Sequence, residues 1–362
     1  MLFPLSGIRP DLQFSVVFGF LDALFVPLRK RVAAAQFEEA KLRVTGAVLD
    51  FAAQVRAAFY VHQANEQLLG LRQTIVQALT VSFDVSRRLH DAGNMTDLDL
   101  ARDRALLEAS KVALRSAEVD ARQSREQLNS LMGAWGGDTA WTIDGRLPDI
   151  PAEPLPVHGL DRTTLTRSID LSHARQRILV AGQRLGYDRA TALIPAMDFG
   201  VGAERDPDEG WRVGPSIAIP IPLFDQGQAR IGRAAAELRR AQQEYYALAV
   251  RIRATLRATQ DRMLGARDRA LYYRDILLPL RELIVNETQL QYNAMQVGIF
   301  RLLREREQQI ETGVAYVEAL REYWLARTDL AQIANGRLPI GNGFRVGGRG
   351  GKMRITEGAN GE

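Results

Sequence analysis

Cysteine is absent from the sequence, which excludes a disulfide framework, a thiolate metal site and a lipid anchor carried on sulfur. Its absence is compatible with an oxidising envelope compartment. No stretch reaches the roughly 18 to 20 uncharged apolar residues of a membrane-spanning helix. The nearest, residues 14–28, carries Asp22 and Pro27. The same stretch fails as a signal-peptide core, because no basic region precedes it and no small-residue cleavage site follows, so no targeting segment is read. Histidine is sparse: His62, His90, His158 and His173 are scattered without a His-x-x-x-His spacing or a carboxylate cluster, so no metal site is expected. The seven methionines are equally dispersed and form no soft-metal relay. A Gly-rich phosphate loop, a nucleophile elbow and paired catalytic acids are all missing, which argues against catalysis and against a cofactor. Charge of one sign is also lacking. The 47 Lys and Arg oppose 43 Asp and Glu for a net +4, without a basic block that would hold nucleic acid.

What is present begins with strand periodicity. Across residues 11–21, Leu12, Phe14, Val16, Phe18 and Phe20 alternate with Asp11, Gln13, Ser15 and Gly19. The pattern returns at Met197, Phe199, Val201 and Ala203, and again at Trp211, Val213, Ile217, Ile219 and Ile221. Residues 205–210, rich in Asp, Pro and Gly, read as the loop of an antiparallel pair. Each strand has about the length that crosses a bilayer when tilted, with one apolar and one polar face. An ordinary half-buried sheet has the same alternation, so the strands alone leave both readings open.

Helix formers fill the intervals. Residues 27–89 hold only Gly46 and Gly70 and no further proline, which predicts one very long helix of roughly 95 Å. Leu71, Ile75, Leu79 and Phe83 make a thin apolar stripe on it. Gly93 is placed to end this helix, and Thr96, with Asp99 three residues on, to cap a second that runs to about Met132. Residues 134–160 hold Trp135, Trp141, Pro148, Pro151, Pro154 and Pro156 and read as a linker. Helix is expected again over 161–193 with a stop at Pro195. From Asp225 a further long helix runs to about Gln296, interrupted only at Pro279, either a hinge or a static kink. The chain then turns at Val297 and Gly298 and returns as helix to about Asn335. Residues 337–362 read as a disordered, Gly-rich tail.

The two halves correspond. A strand leads into Leu24-Phe25 and Ala33-Ala34-Ala35 in the first, and into Leu223-Phe224 and Ala234-Ala235-Ala236 in the second, each followed by a helical hairpin. Copies about 200 residues apart indicate duplication of a large unit. The stretches SIAIPIPLFDQGQARIGRAAAELRRAQQEY (216–245) and LHDAGNMTDLDLARDRALLEA (89–109) resemble the most recognisable parts of the TolC-like outer-membrane efflux proteins. The strand-to-helix junction P-L-F-D-x-G is the more specific of the two, and the resemblance extends over about residues 10–336.

The resemblance implies a mainly α fold with a small membrane β part. Long antiparallel helical hairpins form an α-barrel, joined to a β-barrel in a homotrimer. It implies a passive export duct in the outer membrane with its helices in the periplasm, meeting outer-membrane lipid, a periplasmic adaptor and an inner-membrane pump. Residues 11–133 then form a first, incomplete repeat and 161–336 a second, complete one, with 1–10 an irregular start. The first copy lacks an opening helix and strand, so three strands instead of four are counted per subunit. An N-terminally truncated channel subunit, without its signal peptide, is the expectation.

The same resemblance makes the hairpin tips, residues 90–97 and 297–301, the adaptor contacts. The residues concerned are Gly93, Asn94, Thr96 and Asp97 in one tip and Val297, Gly298, Ile299 and Phe300 in the other, with Ile299 and Phe300 expected to be exposed. Arg304 and Glu307 fall where relatives narrow the channel with acidic groups. Only Glu307 keeps that character, and a solvated helix face with i,i+3 and i,i+4 pairing is the preferred reading. The competing functions are a soluble coiled-coil scaffold and a truncated, non-functional remnant.

Overall fold

A computed structural model of the chain describes residues 12–18, 20–143, 146–152, 160–193, 198–206, 210–218 and 226–339. Several expectations fall outside them: the irregular start over residues 1–10, His158, the stop at Pro195, residues 222–225 of the P-L-F-D-x-G junction, and the tail from residue 340. In chain order the elements are β1 (Leu12–Phe18), α1 (Phe20–Asp91), α2 (Asp97–Met132), α3 (Leu160–Arg167), α4 (Ile169–Leu193), β2 (Asp198–Asp206), β3 (Gly210–Ala218), α5 (Gln228–Tyr272), α6 (Leu278–Asn293) and α7 (Ile299–Ala334). A 3₁₀ turn covers Gly136–Thr139 and a π-helical turn Tyr273–Leu277.

The chain divides into two compact units, one made of residues 1–47 and 168–253, the other of 48–167 and 254–362. The first holds the antiparallel sheet, ordered β1-β2-β3. Its register aligns apolar with apolar: Phe14 opposite Ala203, Ala203 opposite Val213, and Val201 between Val16 and Pro215. Gln13, Glu204 and Arg212 form a polar row beside them. Phe14 stacks on Trp211 with ring centroids 6.1 Å apart, and Phe14, Val201, Trp211, Val213 and Ile217 stay exposed. Cross-strand aromatic and β-branched pairs of this kind stabilise a sheet. Among the helices of this unit, Phe25 is buried and meets Tyr187 edge-on, while Gln176 donates from Nε2 to the Ala35 carbonyl at 2.9 Å.

The second unit packs both hairpins with the linker. One core joins Ala64 of α1, Leu147 and Ile150 of the linker, Leu256, Met263, Ala266 and Ala270 of α5, and Leu320, Trp324, Ala326 and Leu330 of α7. Alanine at 266, 270 and 326 lets helix backbones approach closely. Trp324 Nε1 donates to the Pro148 carbonyl at 2.8 Å, so the linker is tied down and not merely draped. A smaller cluster joins Ile75 and Leu79 of α1 with Leu107 of α2, flanked by Phe83 and Ile310. This is the apolar stripe read from the sequence.

Four boundaries differ from the sequence reading. The first strand ends at Phe18 and not near residue 21, and α1 starts at Phe20 and runs through Pro27. Leu21, Leu24, Phe25 and Leu28 recur at helical spacing, which outweighs the one ladder hydrogen bond that Pro27 removes. The helix expected over 161–193 is two, α3 and α4, broken at the buried Ser168, whose Oγ accepts from Leu171 N at 3.1 Å as a new cap. The long helix of the second half begins at Gln228, and its break is the π-helical turn at Tyr273–Leu277, which ends two residues before Pro279. A ring at Pro279 meets the carbonyl four residues back, and the wider turn relieves that contact. The left-handed turn residue of the second hairpin is Met295 and not Gly298.

Candidate functional site: the hairpin tips

At the first tip α1 ends in a Schellman motif: Gly93 N donates to the His90 carbonyl and Asn94 N to the Leu89 carbonyl, both at 2.8 Å. Gly93 has φ of 77°, the left-handed conformation that a Cβ disfavours. Thr96 then caps α2, with Oγ1 accepting from Asp99 N at 3.2 Å and donating to Asp99 Oδ2 at 2.8 Å. Asp97 and Asp99 lie in the first turn of α2, where the helix dipole favours negative charge, and His90 lies in the last turn of α1, where it favours positive charge. The two termini are clasped by His90 Nε2 and Asp97 Oδ1, 2.6 Å apart. This bond to Asp97 raises the His90 pKa above its ordinary value against a smaller desolvation effect, with Asp91 adding to the rise. Gly93, Asn94, Thr96 and Asp97 are all exposed.

The second tip repeats the backbone and not the side chains. Met295 N donates to the Tyr292 carbonyl and Gln296 N to the Gln291 carbonyl, both at 2.9 Å, so Met295 occupies the place of Gly93, with φ of 57°. Gly298 stands where Thr96 stands, at the N-cap with φ of −79°, and it supplies no side-chain cap. Ile299 and Phe300 are half-buried, a correction to their expected exposure: they form the first turn of α7, which turns them partly into the hairpin. The apolar groups displayed at the tips are Met295, 94% exposed, and Leu98, 59% exposed. Counting three residues back from each N-cap, as from Thr96 to Gly93, finds Met295 in the sequence.

Beyond the second tip Arg304 is exposed and Glu307 half-buried, and no ion pair joins them among the described residues. Pairing forms around them: Arg306 Nη1 donates to Gln309 Oε1 at 3.1 Å, three residues on, and Arg281 Nη1 donates to Gln308 Oε1 at 2.6 Å and lies 3.7 Å from Glu305. Burial, reinforced by the charge of Glu311 and opposed by Arg304, raises the Glu307 pKa. Deeper in the same unit His62, 1% exposed, shares a hydrogen bond of 2.9 Å with Ser124 Oγ and meets the Trp141 ring edge-on. Trp141 in turn donates to Asn129 Oδ1 at 2.7 Å and stacks under the Arg125 guanidinium. These polar groups hold the linker against α1 and α2, a role that the scattered histidines alone did not signal. No group of three metal-ligating side chains and no helix long and apolar enough to cross a membrane occurs among the described residues.

Duplicated long helical hairpins, each following an antiparallel strand, constitute the fold of the TolC-like outer-membrane channels. The structure of the outer-membrane channel OprN superimposes with a TM-score of 0.69 at 18% identity, over 90% of this chain and 74% of that one. In sequence the chain is similar to the cobalt-zinc-cadmium resistance protein CzcC of Cupriavidus metallidurans, 22% identical over 305 residues, covering 82% of this chain and 70% of that protein. It is also similar to the probable efflux pump outer membrane protein TtgC of Pseudomonas putida, 26% identical over 192 residues, 49% of this chain and 38% of that protein. No family model matches. The chain is a distant relative of outer-membrane efflux proteins.

Proposed function

We propose that this chain is a subunit of an outer-membrane efflux channel: a passive duct that works as a homotrimer with a periplasmic adaptor and an inner-membrane pump. The observation that carries the reading is the repeated hairpin. Both return helices, α2 and α7, are 36 residues long, and both tips end the incoming helix in the same hydrogen-bonded motif. A duct of many near-parallel helices requires such a repeat, because equal helices close a ring with uniform spacing. Residues 11–133 and 161–336 are the two repeats.

Apolar side chains left exposed on the helices support assembly with further copies. Phe37, Val44, Val48 and Phe51 follow one stripe of α1, and Tyr272, Ile276, Leu280, Leu283 and Leu290 another along α5, the π-helical turn and α6. Stripes of that length are unfavourable in water and are the seams along which helices pack side by side. The exposed apolar row of the sheet, from Phe14 to Val213, is suited to lipid.

The tips are the adaptor contacts, with Gly93, Asn94, Thr96, Asp97, Leu98, Met295 and Gly298 displayed and Val297, Ile299 and Phe300 behind them. Arg304 and Glu307 line the approach to the periplasmic opening. The names of the two relatives differ in what they mention, metal resistance in one and an efflux pump in the other, so the likeness supports a duct and leaves its cargo unassigned. Fractionation with chemical cross-linking tests assembly. The expected result is a membrane-bound species of three chains. A detergent-free soluble monomer would favour the scaffold reading instead.

A further inference from the structure

Within the unit that holds the sheet, α1, α4 and α5 enclose a groove of about 500 Å³. Four arginines from three helices line it: Arg29 of α1, Arg184 of α4, and Arg230 and Arg233 of α5. Among the described residues two carboxylates, Asp188 and Glu237, share the lining. Arg184, Arg230 and Arg233 form no ion pair among the described residues. Their position is not for want of nearby acids. Glu244, on the next turns of α5, is bracketed by Arg177 at 2.9 Å and Arg240 at 2.8 Å, and this pairing lowers its pKa. Arg29 is held by its Nε donating to Tyr187 Oη at 3.2 Å. Val32, Ala33 and Ala234 supply an apolar wall. Guanidinium groups converging from three helices are suited to bidentate recognition of a phosphate anion.

Each of the four arginines lies within roughly three turns of the helix end that joins or adjoins a strand. If those strands cross the outer membrane, the groove lies beside the headgroups of the periplasmic leaflet. We propose that it binds the phosphate of an anionic phospholipid headgroup, with the glycerol against Val32, Ala33 and Ala234. The proposal rests on the membrane reading above. Free phosphate offers the same anion, but it would leave the apolar wall unused.

The test measures binding of a soluble short-chain phosphatidylglycerol to the detergent-purified full chain, in parallel with the matching phosphatidylcholine and with inorganic phosphate. Phosphatidylglycerol is expected to bind best. The double variant Arg184→Ala/Arg233→Ala is expected to weaken it about 10-fold or more, while Arg239→Ala, which does not line the groove, leaves it unchanged. The Arg184→Lys/Arg233→Lys variant, retaining charge without the fork, should fall between them and guards against a folding defect. Equal binding of both lipids, equal binding by wild type and the double alanine variant, or inorganic phosphate binding as tightly as the lipid would each overturn the proposal. Channel activity is recorded separately on the wild type. Loss of the channel reading is therefore distinct from loss of the groove.

Discussion

Two histidines of one chain are driven in opposite directions by their surroundings. His90 gains a carboxylate partner at the first tip, so its pKa rises. Its bond to Asp97 contributes stability that is complete below the unfolded value near 6.5 and is lost as pH rises through the raised folded value. His62 is buried, and desolvation, with help from Arg125 and against Glu66, lowers its pKa. Its contribution is complete above about 6.5 and is lost as pH falls through the lowered folded value. Histidine NMR titration should place His90 above 6.5 and His62 below it, with Asp97→Asn returning His90 toward 6.5. The reverse order would contradict the tip geometry. Glycine at 227 is a further residue-scale requirement. It has φ of 77°, and a Cβ there would lie 2.9 Å from Ala192 Cβ and 3.1 Å from Arg230 Nη2. Both strain and contact therefore explain the glycine of P-L-F-D-x-G. Gly227→Ala should cost about 2 kcal/mol or more in denaturant unfolding, and a cost near zero would refute the packing of α4 against this turn.

At the scale of the elements, the tips separate conformational strain from contact. Nothing lies within 4 Å of a Cβ added at Gly93, so Gly93→Ala should cost only the left-handed penalty of about 1 kcal/mol. At the matching position Met295 already bears that strain, and Met295→Gly should stabilise the second hairpin by up to about 1 kcal/mol. Thermal unfolding of the pair should give shifts of opposite sign. Equal signs would sink the equivalence of the two turns. The same comparison explains what the sequence disclosed. Hairpins, the Thr96 cap and the Ile75-Leu79 stripe were legible because each rests on local chemistry or period. Met295 was missed, since a methionine carries no turn signal of its own and Gly298, three residues on, drew attention instead; only the offset from Thr96 to Gly93 points to it. The break at Ser168 was equally hidden, because a serine inside a helical pattern reads as a break only once its hydroxyl is seen to cap Leu171. The half-burial of Ile299 and Phe300 depends on the partner helix, which one strand of sequence does not reveal.

At the scale of the whole molecule, the exposed apolar row of the sheet and the uncovered helix stripes require neighbours that one chain does not supply. Lipid and further copies of the chain satisfy both. A scaffold would need water-compatible strands, whereas Phe14, Trp211, Val213 and Ile217 are exposed together. The most direct measurement is single-channel recording of the purified full chain in a planar lipid bilayer. Discrete, stable conductance steps from the membrane-extracted oligomer are the predicted result. A chain that remains soluble without detergent and leaves the bilayer non-conducting would contradict the account.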